Sequence, residues 1–373
     1  MSRSTFLFVF GTRPEAIKLA PLIKEFQTDS HHSIKVCVTG QHRQLLDQVL
    51  SFFEINTDYD LDLMKPDQSL FDLSVDILKN LEVVLDKCKP DLVIVQGDTT
   101  TAFVGALASF YKRIKVAHVE AGLRSNNKAS PFPEEINRIL IGHMADYHFA
   151  PTTNAKKNLL REGIAEDSVF VVGNTVIDAL LLGLEHIKRQ GDQEHKNYFS
   201  FLDFSKRIIL VTGHRRESFG EGFENICGAL KEIAHRYRDI QIVYPVHLNP
   251  HVTEPVHRIL GSIQNIFLID PLDYERLIWL MKRSHLVLTD SGGIQEEAPT
   301  LGIPVLVMRK VTERTEGIEA GTAKLVGVHR DRIVAWVVDL LENGVLYKKM
   351  ATAINPYGDG TASANIVRIL KDL

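Results

Sequence analysis

The sequence has few of the features that mark several common protein classes. Its three cysteines, Cys37, Cys88 and Cys227, are far apart and form no CxxC pair, which excludes a disulfide framework and a zinc-binding cysteine motif. We expect them to be buried or inert thiols. No apolar run approaches the ~20 residues of a membrane span, and the first residues lack the longer apolar stretch of a signal peptide. We therefore expect a soluble, cytoplasmic protein with no membrane partner.

Charge and short motifs exclude further classes. The formal net charge is −4, with acidic and basic residues interspersed, so nothing indicates nucleic-acid binding. The chain has no GxxxxGK[ST] and no HExxH, and its first strand turn reads FGTRPE, without GxGxxG. These absences argue against a P-loop NTPase, an NAD enzyme and a zinc peptidase. Asp58, Asp60 and Asp62 alternate without the glycine and glutamate of a calcium loop. We expect no metal and no cofactor.

Short apolar runs alternate with longer segments of helical periodicity. In the first half the apolar runs are LFVF (7–10), KVCVT (35–39), DLVIV (91–95), KVAHV (115–119), YHFAP (147–151) and VFVVG (169–173). In the second half they are RIILVT (207–212), QIVYPV (241–246), IFLID (266–270), LVLTD (286–290), PVLVM (304–308) and KLVG (324–327). Such runs, separated by ten or more amphipathic residues, are typical of βαβ units and parallel sheets.

The restart of this pattern predicts two α/β domains. A polar stretch, 188–206, separates the halves, and GNTVIDALL before it resembles a helix that opens the second domain. We expect an N-terminal Rossmann-like domain over 1–172, a C-terminal Rossmann-like domain over 173–359, and a hinge near 171–176. The two halves resemble each other only in architecture.

Polar and ionisable residues follow six of the apolar runs. In open α/β sheets, ligands bind outside the carboxyl ends of the strands, so these clusters are candidates for a binding site. Parallel sheets gather such ends along one edge, and facing edges would form a cleft between the domains. The clusters contain Gly11 to Glu15 with Lys18, Gly97 to Thr101, Glu120 to Gly122, Gly213 to Glu217, Ser291 to Gly293 with Gln295 to Glu297, and Arg309 with Thr312 to Arg314.

The glycines indicate a phosphate ligand. Ser291-Gly292-Gly293 falls at a strand-to-helix turn, where glycine allows close approach and free N–H groups at the helix start bind phosphate oxygens. Positive charge from Arg13, Lys18, His214 and Arg314 would suit a diphosphate. A tight turn with Ser291 as N-cap remains an alternative for this motif taken alone.

The same clusters resemble the non-hydrolysing UDP-N-acetylglucosamine 2-epimerase family. The matching strings run from residue 8 to residue 360 and include FGTRPEAIKLAPLI, QGDTTTAF, HVEAGLRS, SPFPEEINR, GHRRESFG, TDSGGIQEEAP and NPYGDG. The resemblance implies the two-domain GT-B-like fold, with parallel sheets across a cleft and a last helix, 360–373, that returns to the first domain. It also implies a homodimer in polysaccharide biosynthesis that acts on a UDP-sugar without NAD.

Site residues follow from the resemblance, residue by residue. It implies that the UDP-sugar contacts Arg13, Lys18, Asp98, Glu120, His214, Ser291, Gly292, Gly293, Glu297 and Arg314. Residues needed for chemistry would be Asp98, Glu120, Glu134, Arg138 and His214. An activator site in some members is partly matched by Gln41, Gln44, Arg215 and His247, although Asp67 stands where such members carry a basic residue. Leu272 and Leu277 replace residues that lie near the uracil in relatives, and Thr315 and Phe132 are further departures.

The chemistry of C2 inversion explains why both charge types are needed. The C2 proton of such a sugar is not next to a carbonyl, but loss of UDP from C1 creates oxocarbenium character that makes it removable. Elimination to a glycal and re-addition of UDP would give the epimer. Cations would stabilise the leaving diphosphate, while Asp98 and Glu134, or Glu120, would transfer protons. The domains are expected to close over substrate.

Three other functions remain open from the sequence. A hydrolysing 2-epimerase would release free N-acetylmannosamine and UDP. A glycosyltransferase of the same fold would need a second sugar acceptor. A catalytically silent UDP-sugar sensor would bind UDP without any exchange at C2.

Overall fold

The computed structural model describes residues 3–28, 31–40, 43–63, 65 and 68–371, and the side chains of residues 43 and 44 are outside that description. The chain forms two compact units. Unit 1 comprises Met1–Leu182 and Tyr357–Leu373, and unit 2 comprises Gly183–Pro356. The domain boundary at 172/173, the hinge near 171–176 and the cleft stay predictions.

Helices and strands alternate along both units. The first elements are β1 (Ser4–Phe10), α1 (Arg13–Thr28), β2 (His32–Val38), α2 (Arg43–Phe52), β3 (Tyr59–Asp60), α3 (Leu70–Cys88), β4 (Leu92–Gln96), α4 (Thr100–Tyr111), β5 (Lys115–Val119), α5 (Glu134–Met144), β6 (Tyr147–Ala150), α6 (Thr153–Arg161), β7 (Val169–Val171) and α7 (Thr175–Gln190). They are followed by α8 (Gln193–Tyr198), β8 (Arg207–Thr212), α9 (Glu221–Arg236), β9 (Ile240–Pro245), α10 (Pro250–Leu260), β10 (Ile266–Ile269), α11 (Tyr274–Met281), β11 (Leu286–Thr289), α12 (Gly292–Thr300), β12 (Val305–Val307), α13 (Thr315–Ala320), β13 (Ala323–Leu325), α14 (Arg330–Glu342), α15 (Gly344–Ala351) and α16 (Ala362–Leu370).

Each unit is built on one parallel sheet. Within the described residues, the sheet of unit 1 has the strand order β3-β2-β1-β4-β5-β6-β7, and that of unit 2 has β10-β9-β8-β11-β12-β13. Counted within its own unit, each sheet therefore begins 3-2-1-4-5-6, the doubly wound order that places a ligand crevice where the order reverses. The prediction of two parallel-sheet α/β domains is confirmed.

Burial on both faces explains why the strands read as continuous apolar runs. In β1 the five residues from Phe6 to Phe10 are all buried, and β4 is buried along its length. The hydrophobic core of unit 1 joins side chains of β1 and β4 to α3 and α4, and that of unit 2 joins β8, β9 and β11 to α9, α10 and α14. Cys37 and Cys227 lie in these cores, where burial raises the pKa of each thiol to about 12.

The last helix belongs to unit 1, although unit 2 precedes it in sequence. α16 packs against α1, and the amides of Ala362 and Ser363 donate to the carboxylate of Asp178 on α7. Through the described ranges, the helices include none long and apolar enough to cross a bilayer.

Candidate active site

The turns after β1, β4 and β5 lie side by side because these strands are neighbours in the sheet of unit 1. Gly97, with φ 71°, follows β4 and supplies the left-handed conformation of that turn. Glu120 has φ 64° directly after β5, a conformation that is uncommon for residues other than glycine. Backbone strain of this kind is concentrated at functional sites, which draws attention to this edge of the sheet.

Glu120 is held by two donors from neighbouring elements. Its Oε2 pairs with Nζ of Lys18 on α1 and accepts a hydrogen bond of 2.6 Å from Nε2 of Gln96 at the end of β4. Both partners of the ion pair are largely buried. The carboxylate is therefore fixed by its surroundings, which suits a role in orienting a substrate hydroxyl or a neighbouring acid.

Asp98 is held by α5. Its carboxylate pairs with the guanidinium of Arg138, and its carbonyl oxygen accepts a hydrogen bond of 2.9 Å from Nδ2 of Asn137. Arg138 also lies 3.3 Å from the carboxylate of the buried Glu135. The carboxylate of Asp98 is only partly buried, so one face of it remains accessible beside a fixed positive charge.

Polar side-chain atoms of Glu134 and Arg138 on α5 are buried without hydrogen bonds in the described part of the chain. Among the residues that the structure describes, neither Oε2 of Glu134 nor Nε of Arg138 has a hydrogen-bond partner. Buried polar atoms are almost always paired in folded proteins, and an unpaired one calls for an explanation such as a catalytic role. The two atoms lie on the helix that holds Asp98, which supports a substrate site at this edge.

His118 is hydrogen-bonded to the turn after β4, which contains Gly97 and Asp98. It is fully buried in β5, and its Nε2 donates to the carbonyl oxygen of Gly97 at 2.7 Å. Burial is the main reason that its pKa falls to about 3, with Arg124 and Arg138 contributing repulsion. The imidazole is thus neutral at physiological pH and serves as a hydrogen-bond donor to the backbone next to Asp98.

In unit 2 the turn after β8 wraps around a buried carboxylate. Oδ2 of Asp290, at the end of β11, accepts hydrogen bonds from the amides of His214 at 2.7 Å and Arg215 at 2.8 Å. The imidazole Nδ1 of His214 lies 3.4 Å from the other carboxylate oxygen, and its ring stacks on His247. The side chain of His214 is 46% exposed, so it can reach a bound ligand.

The glycine-rich turn after β11 begins α12. Ser291 occupies the N-cap position, but within the described part of the chain its side chain makes no capping hydrogen bond. This result argues against the interpretation of the motif as a capped turn alone. A Cβ added at Gly292 would lie 2.8 Å from Cζ of Arg314, so glycine is required there for the guanidinium to reach the helix start.

Arg314 is held by carboxylates and points at this helix start. Its Nε donates to Oε1 of Glu296 at 2.9 Å, and its guanidinium also pairs with Glu313. Although burial opposes ionisation of Glu313, the charges of Arg314 and Arg309 lower its pKa to about 2. Arg309 pairs with both Glu313 and Glu217 at 2.8 Å. Guanidinium groups held by carboxylates therefore adjoin the amides of α12, and both kinds of group can donate hydrogen bonds to an anion.

The remaining predicted contacts lie on α1, α11, α12 and the turn before α11. Glu297 is buried, and its Oε1 accepts a hydrogen bond of 2.9 Å from the hydroxyl of Tyr274. Leu272 is buried and Leu277 is half-buried. Arg13 is the first residue of α1. Glu297 therefore lies on α12, the same helix that begins at the glycine-rich turn.

These arrangements divide the chemistry between the units. The edge in unit 1 offers carboxylates that are oriented by cations, which is suited to proton transfer. The edge in unit 2 offers buried guanidinium groups and helix-start amides, which are suited to a diphosphate. Among the described residues no group of three or more His, Cys, Asp or Glu side chains is arranged to hold a metal.

Comparison with known proteins identifies the family. The family model described as UDP-N-acetylglucosamine 2-epimerase matches residues 24–371. The chain belongs to the UDP-N-acetylglucosamine 2-epimerase family. It is 56% identical over 367 residues to the UDP-N-acetylglucosamine 2-epimerase of Salmonella typhimurium, and the match covers 98% of each chain. It is 55% identical over 368 residues to that of Escherichia coli K12, again over 98% of each chain.

Solved structures of the family have the same fold. The crystal structure of the Neisseria meningitidis UDP-N-acetylglucosamine 2-epimerase, bound to UDP-N-acetylglucosamine, superposes with a TM-score of 0.94 at 50% identity and covers 99% of this chain and 100% of that chain. The Methanocaldococcus jannaschii 2-epimerase, in complex with UDP-N-acetylglucosamine and UDP, gives a TM-score of 0.85 at 35% identity over 99% and 100% of the two chains. The resemblance drawn from the motifs is confirmed.

Several supporting residues were not singled out by the sequence analysis. Gln96, Asn137 and Tyr274 contact predicted site residues but carry no motif of their own. A signal for Gln96 was available, because it is the polar residue that ends the apolar run DLVIV. Asn137 and Tyr274 give no such signal, since their partners Asp98 and Glu297 are far away in sequence.

The predicted activator residues are only partly covered. Gln41, Asp67 and the side chain of Gln44 lie outside the described residues. Arg215 donates from Nε to the carbonyl oxygen of Asp290 at 3.0 Å, and burial, with repulsion from Arg309, lowers its pKa. Nδ1 of His247 accepts the amide of Asn249 at 3.1 Å. The activator site stays a prediction.

Proposed function

We propose that the chain interconverts UDP-N-acetylglucosamine and UDP-N-acetylmannosamine without net hydrolysis, by elimination and re-addition of UDP. The observation that carries this proposal is the opposite chemistry of the two sheet edges. One edge presents Asp98, Glu120 and Glu134, and the other presents His214 and Arg314 beside the start of α12. The binding of UDP-N-acetylglucosamine by the Neisseria meningitidis relative supports the choice of substrate.

Elimination is the first half of the proposed reaction. A carboxylate removes the C2 proton as the bond between C1 and the diphosphate oxygen breaks. The electron pair of that bond leaves with UDP, and C1 and C2 become joined by the double bond of a glycal. Arg314, Arg13, Lys18 and His214 offset the charge that develops on the diphosphate. The amides of Gly292 and Gly293 at the start of α12 add to this effect.

Re-addition completes the epimerisation. A second acid delivers a proton to the opposite face of C2, and the diphosphate oxygen attacks C1. We assign the two proton transfers to Asp98 and Glu134, because the carboxylate of Asp98 is partly accessible and Oε2 of Glu134 is unpaired among the described residues. Glu120, held by Lys18 and Gln96, orients the sugar. The proposal requires one substrate to reach both sets of residues.

Product analysis in heavy water tests the proposal. The purified protein is incubated with UDP-N-acetylglucosamine in D₂O, and the products are followed by NMR. We expect deuterium at C2 of both UDP-sugars and an equilibrium reached without free sugar. Release of N-acetylmannosamine with stoichiometric UDP would instead assign a hydrolysing 2-epimerase, and UDP binding with no C2 exchange would assign a sensor. A homodimer and a cytoplasmic location stay predictions.

A further inference from the structure

Glu15 is a buried carboxyl group that neither the proton-transfer set nor the diphosphate set includes. It is 1% exposed and lies in the first turn of α1. Its Oε2 accepts hydrogen bonds from the amides of Gly11 at 3.1 Å and Thr12 at 2.8 Å. Its Oε1 accepts a hydrogen bond of 2.7 Å from the hydroxyl of Thr99. These two amides and the hydroxyl all donate hydrogen bonds to the same carboxylate.

Part of this arrangement is an ordinary helix cap. A glutamate in the third helical position often reaches back to the N-cap amide, and Glu15 does so with Thr12. A cap alone would leave Oε1 unused or exposed to water. The bond from Thr99, 84 residues away, has no part in capping α1 and needs another explanation.

Thr99 connects this cap to the proposed proton-transfer residue. It follows Asp98 and is the N-cap of α4, where its Oγ1 accepts the amide of Ala102 at 3.0 Å. A hydroxyl has one hydrogen, and here that hydrogen is given to Glu15. The carboxylate therefore joins two turns, the one after β1 that leads into Arg13 and the one after β4 that contains Asp98.

We propose that Glu15 is a positioning residue, whose link to Thr99 holds Asp98 in register with the turn that carries Arg13. This inference rests on the proposed function, since it concerns how Asp98 is presented to C2. Gly97, directly before Asp98, has φ 71°, and because glycine adopts many backbone conformations, the position of Asp98 depends on its contacts. Misplacing a reacting group by about 1 Å costs up to about 100-fold in rate.

Replacement of Thr99 separates this role from a purely structural one. Thr99→Val keeps the shape of the side chain but removes the hydroxyl, whereas Thr99→Ser keeps the hydroxyl. The measurements are kcat for C2 deuterium exchange, the Kd of UDP by calorimetry and the thermal midpoint. We expect Thr99→Val to lower kcat about 10-fold to 100-fold with the Kd of UDP within about twofold, and Thr99→Ser to restore kcat.

A matched control removes a similar cap elsewhere in unit 1. Ser69 is the N-cap of α3, and its Oγ accepts the amide of Asp72 at 3.1 Å while donating to the Asp72 carboxylate. Ser69→Ala therefore deletes a similar N-cap, with its hydrogen bond to a carboxylate, on the helix that follows β3. We expect Ser69→Ala to lower the thermal midpoint and leave kcat unchanged.

Glu15→Gln is the second variant, because its amide can still donate to Thr99 while its oxygen accepts the two turn amides. We expect Glu15→Gln to lower kcat less than Thr99→Val does. We expect the double variant to lose about as much kcat as Thr99→Val alone, because both changes act on one link. Wild-type kcat in a folded Thr99→Val protein, or an equal loss of kcat in Ser69→Ala, would overturn the inference. No C2 exchange by the wild-type protein would overturn the proposed function itself, and this inference with it.

Discussion

The two units share a strand order but end their strands in opposite chemistry. In unit 1, the carboxylate of Asp98 pairs with Arg138, and that of Glu120 pairs with Lys18. In unit 2, Arg314 is held by two carboxylates, Glu296 and Glu313. In one unit the cations orient the acids, and in the other the acids orient the cations.

This difference shows how little of the chemistry the fold itself decides. The doubly wound order brings strand ends to one edge of each sheet, and the residues that follow the strands determine what that edge can do. Under the proposed function, the carboxylates of unit 1 move protons, while Arg314, His214 and the amides of α12 in unit 2 hold the leaving diphosphate together with Arg13 and Lys18 of unit 1. Variants that affect exchange and UDP affinity separately can break or sharpen this division.

The largest effect is expected from Asp98→Asn in unit 1. The amide keeps the shape of the side chain but cannot accept a proton, so C2 exchange should fall about 100-fold to 10,000-fold while calorimetric UDP affinity stays near that of the wild type. Asp91→Asn is the matched control, because Asp91 precedes β4 and its carboxylate accepts the amide of Thr5. A parallel loss of UDP affinity in Asp98→Asn would contradict the division.

In unit 2, Gly292→Ala should weaken UDP binding. The added Cβ would lie 2.8 Å from Cζ of Arg314 and displace the guanidinium, and overpacking of this kind costs about 1–3 kcal/mol. We expect the Kd of UDP to rise about tenfold to hundredfold. Gly344→Ala is the control, since Gly344 also begins a helix and nothing lies within 4 Å of its added Cβ. Unchanged UDP affinity in Gly292→Ala would argue against this anion site.

His118 gives unit 1 a dependence of stability on pH. Its pKa in the folded protein is about 3, below the ordinary histidine value of 6.5, chiefly because of burial. Between these values the unfolded chain binds a proton that the folded protein does not, so stability rises with pH across this window. Relative to His118→Gln, the wild-type free energy of unfolding should rise by up to about 1.4 kcal/mol per pH unit there.

Urea unfolding at several pH values measures this difference. His235→Gln is the control, because His235 is exposed on α9 of unit 2 and should alter the dependence little. A difference in free energy of unfolding between the wild type and His118→Gln that stays constant from pH 6.5 to pH 3 would mean that His118 is charged or exposed in the folded state, and that result would contradict the account.

The smallest effect is expected from Tyr274→Phe in unit 2. The hydroxyl of Tyr274 orients the carboxylate of Glu297, and loss of one such hydrogen bond costs about 0.5–1.5 kcal/mol. UDP affinity should fall about twofold to tenfold with kcat for C2 exchange unchanged. Tyr347→Phe removes a hydroxyl that donates to the carbonyl oxygen of His285 and should leave UDP affinity unchanged. A loss of kcat in Tyr274→Phe would place Tyr274 in the chemistry.

The sheets and their functional edges could be predicted from the sequence because the strands are buried on both faces. LFVF marks the end of β1 and DLVIV marks the end of β4, so the residues after them were expected at one edge. β1 begins at Ser4, before the run LFVF, because the polar residues Ser4 and Thr5 also pair with β2. Apolar runs indicate where a strand is buried and not how far its hydrogen bonds continue.

The partners of the site residues could not be predicted from the sequence. Glu134 and Glu135 are adjacent, yet Glu135 is buried and accepts the amides of Ser125 and Asn126, whereas Oε2 of Glu134 is unpaired among the described residues. Helix phase decides which acid faces the loop, and a shift of one residue would exchange them. The bond from Thr99 to Glu15 likewise depends on how β1 and β4 pair.

The most direct test of the account follows the bond between C1 and the diphosphate. UDP-N-acetylglucosamine carrying ¹⁸O in the oxygen that joins C1 to the β-phosphorus is incubated with the wild-type protein in D₂O, and recovered UDP-sugar is analysed by NMR and mass spectrometry. The account predicts deuterium at C2 together with ¹⁸O redistributed among the β-phosphate oxygens, because UDP leaves and returns. Deuterium at C2 with all ¹⁸O retained between C1 and phosphorus would contradict elimination of UDP.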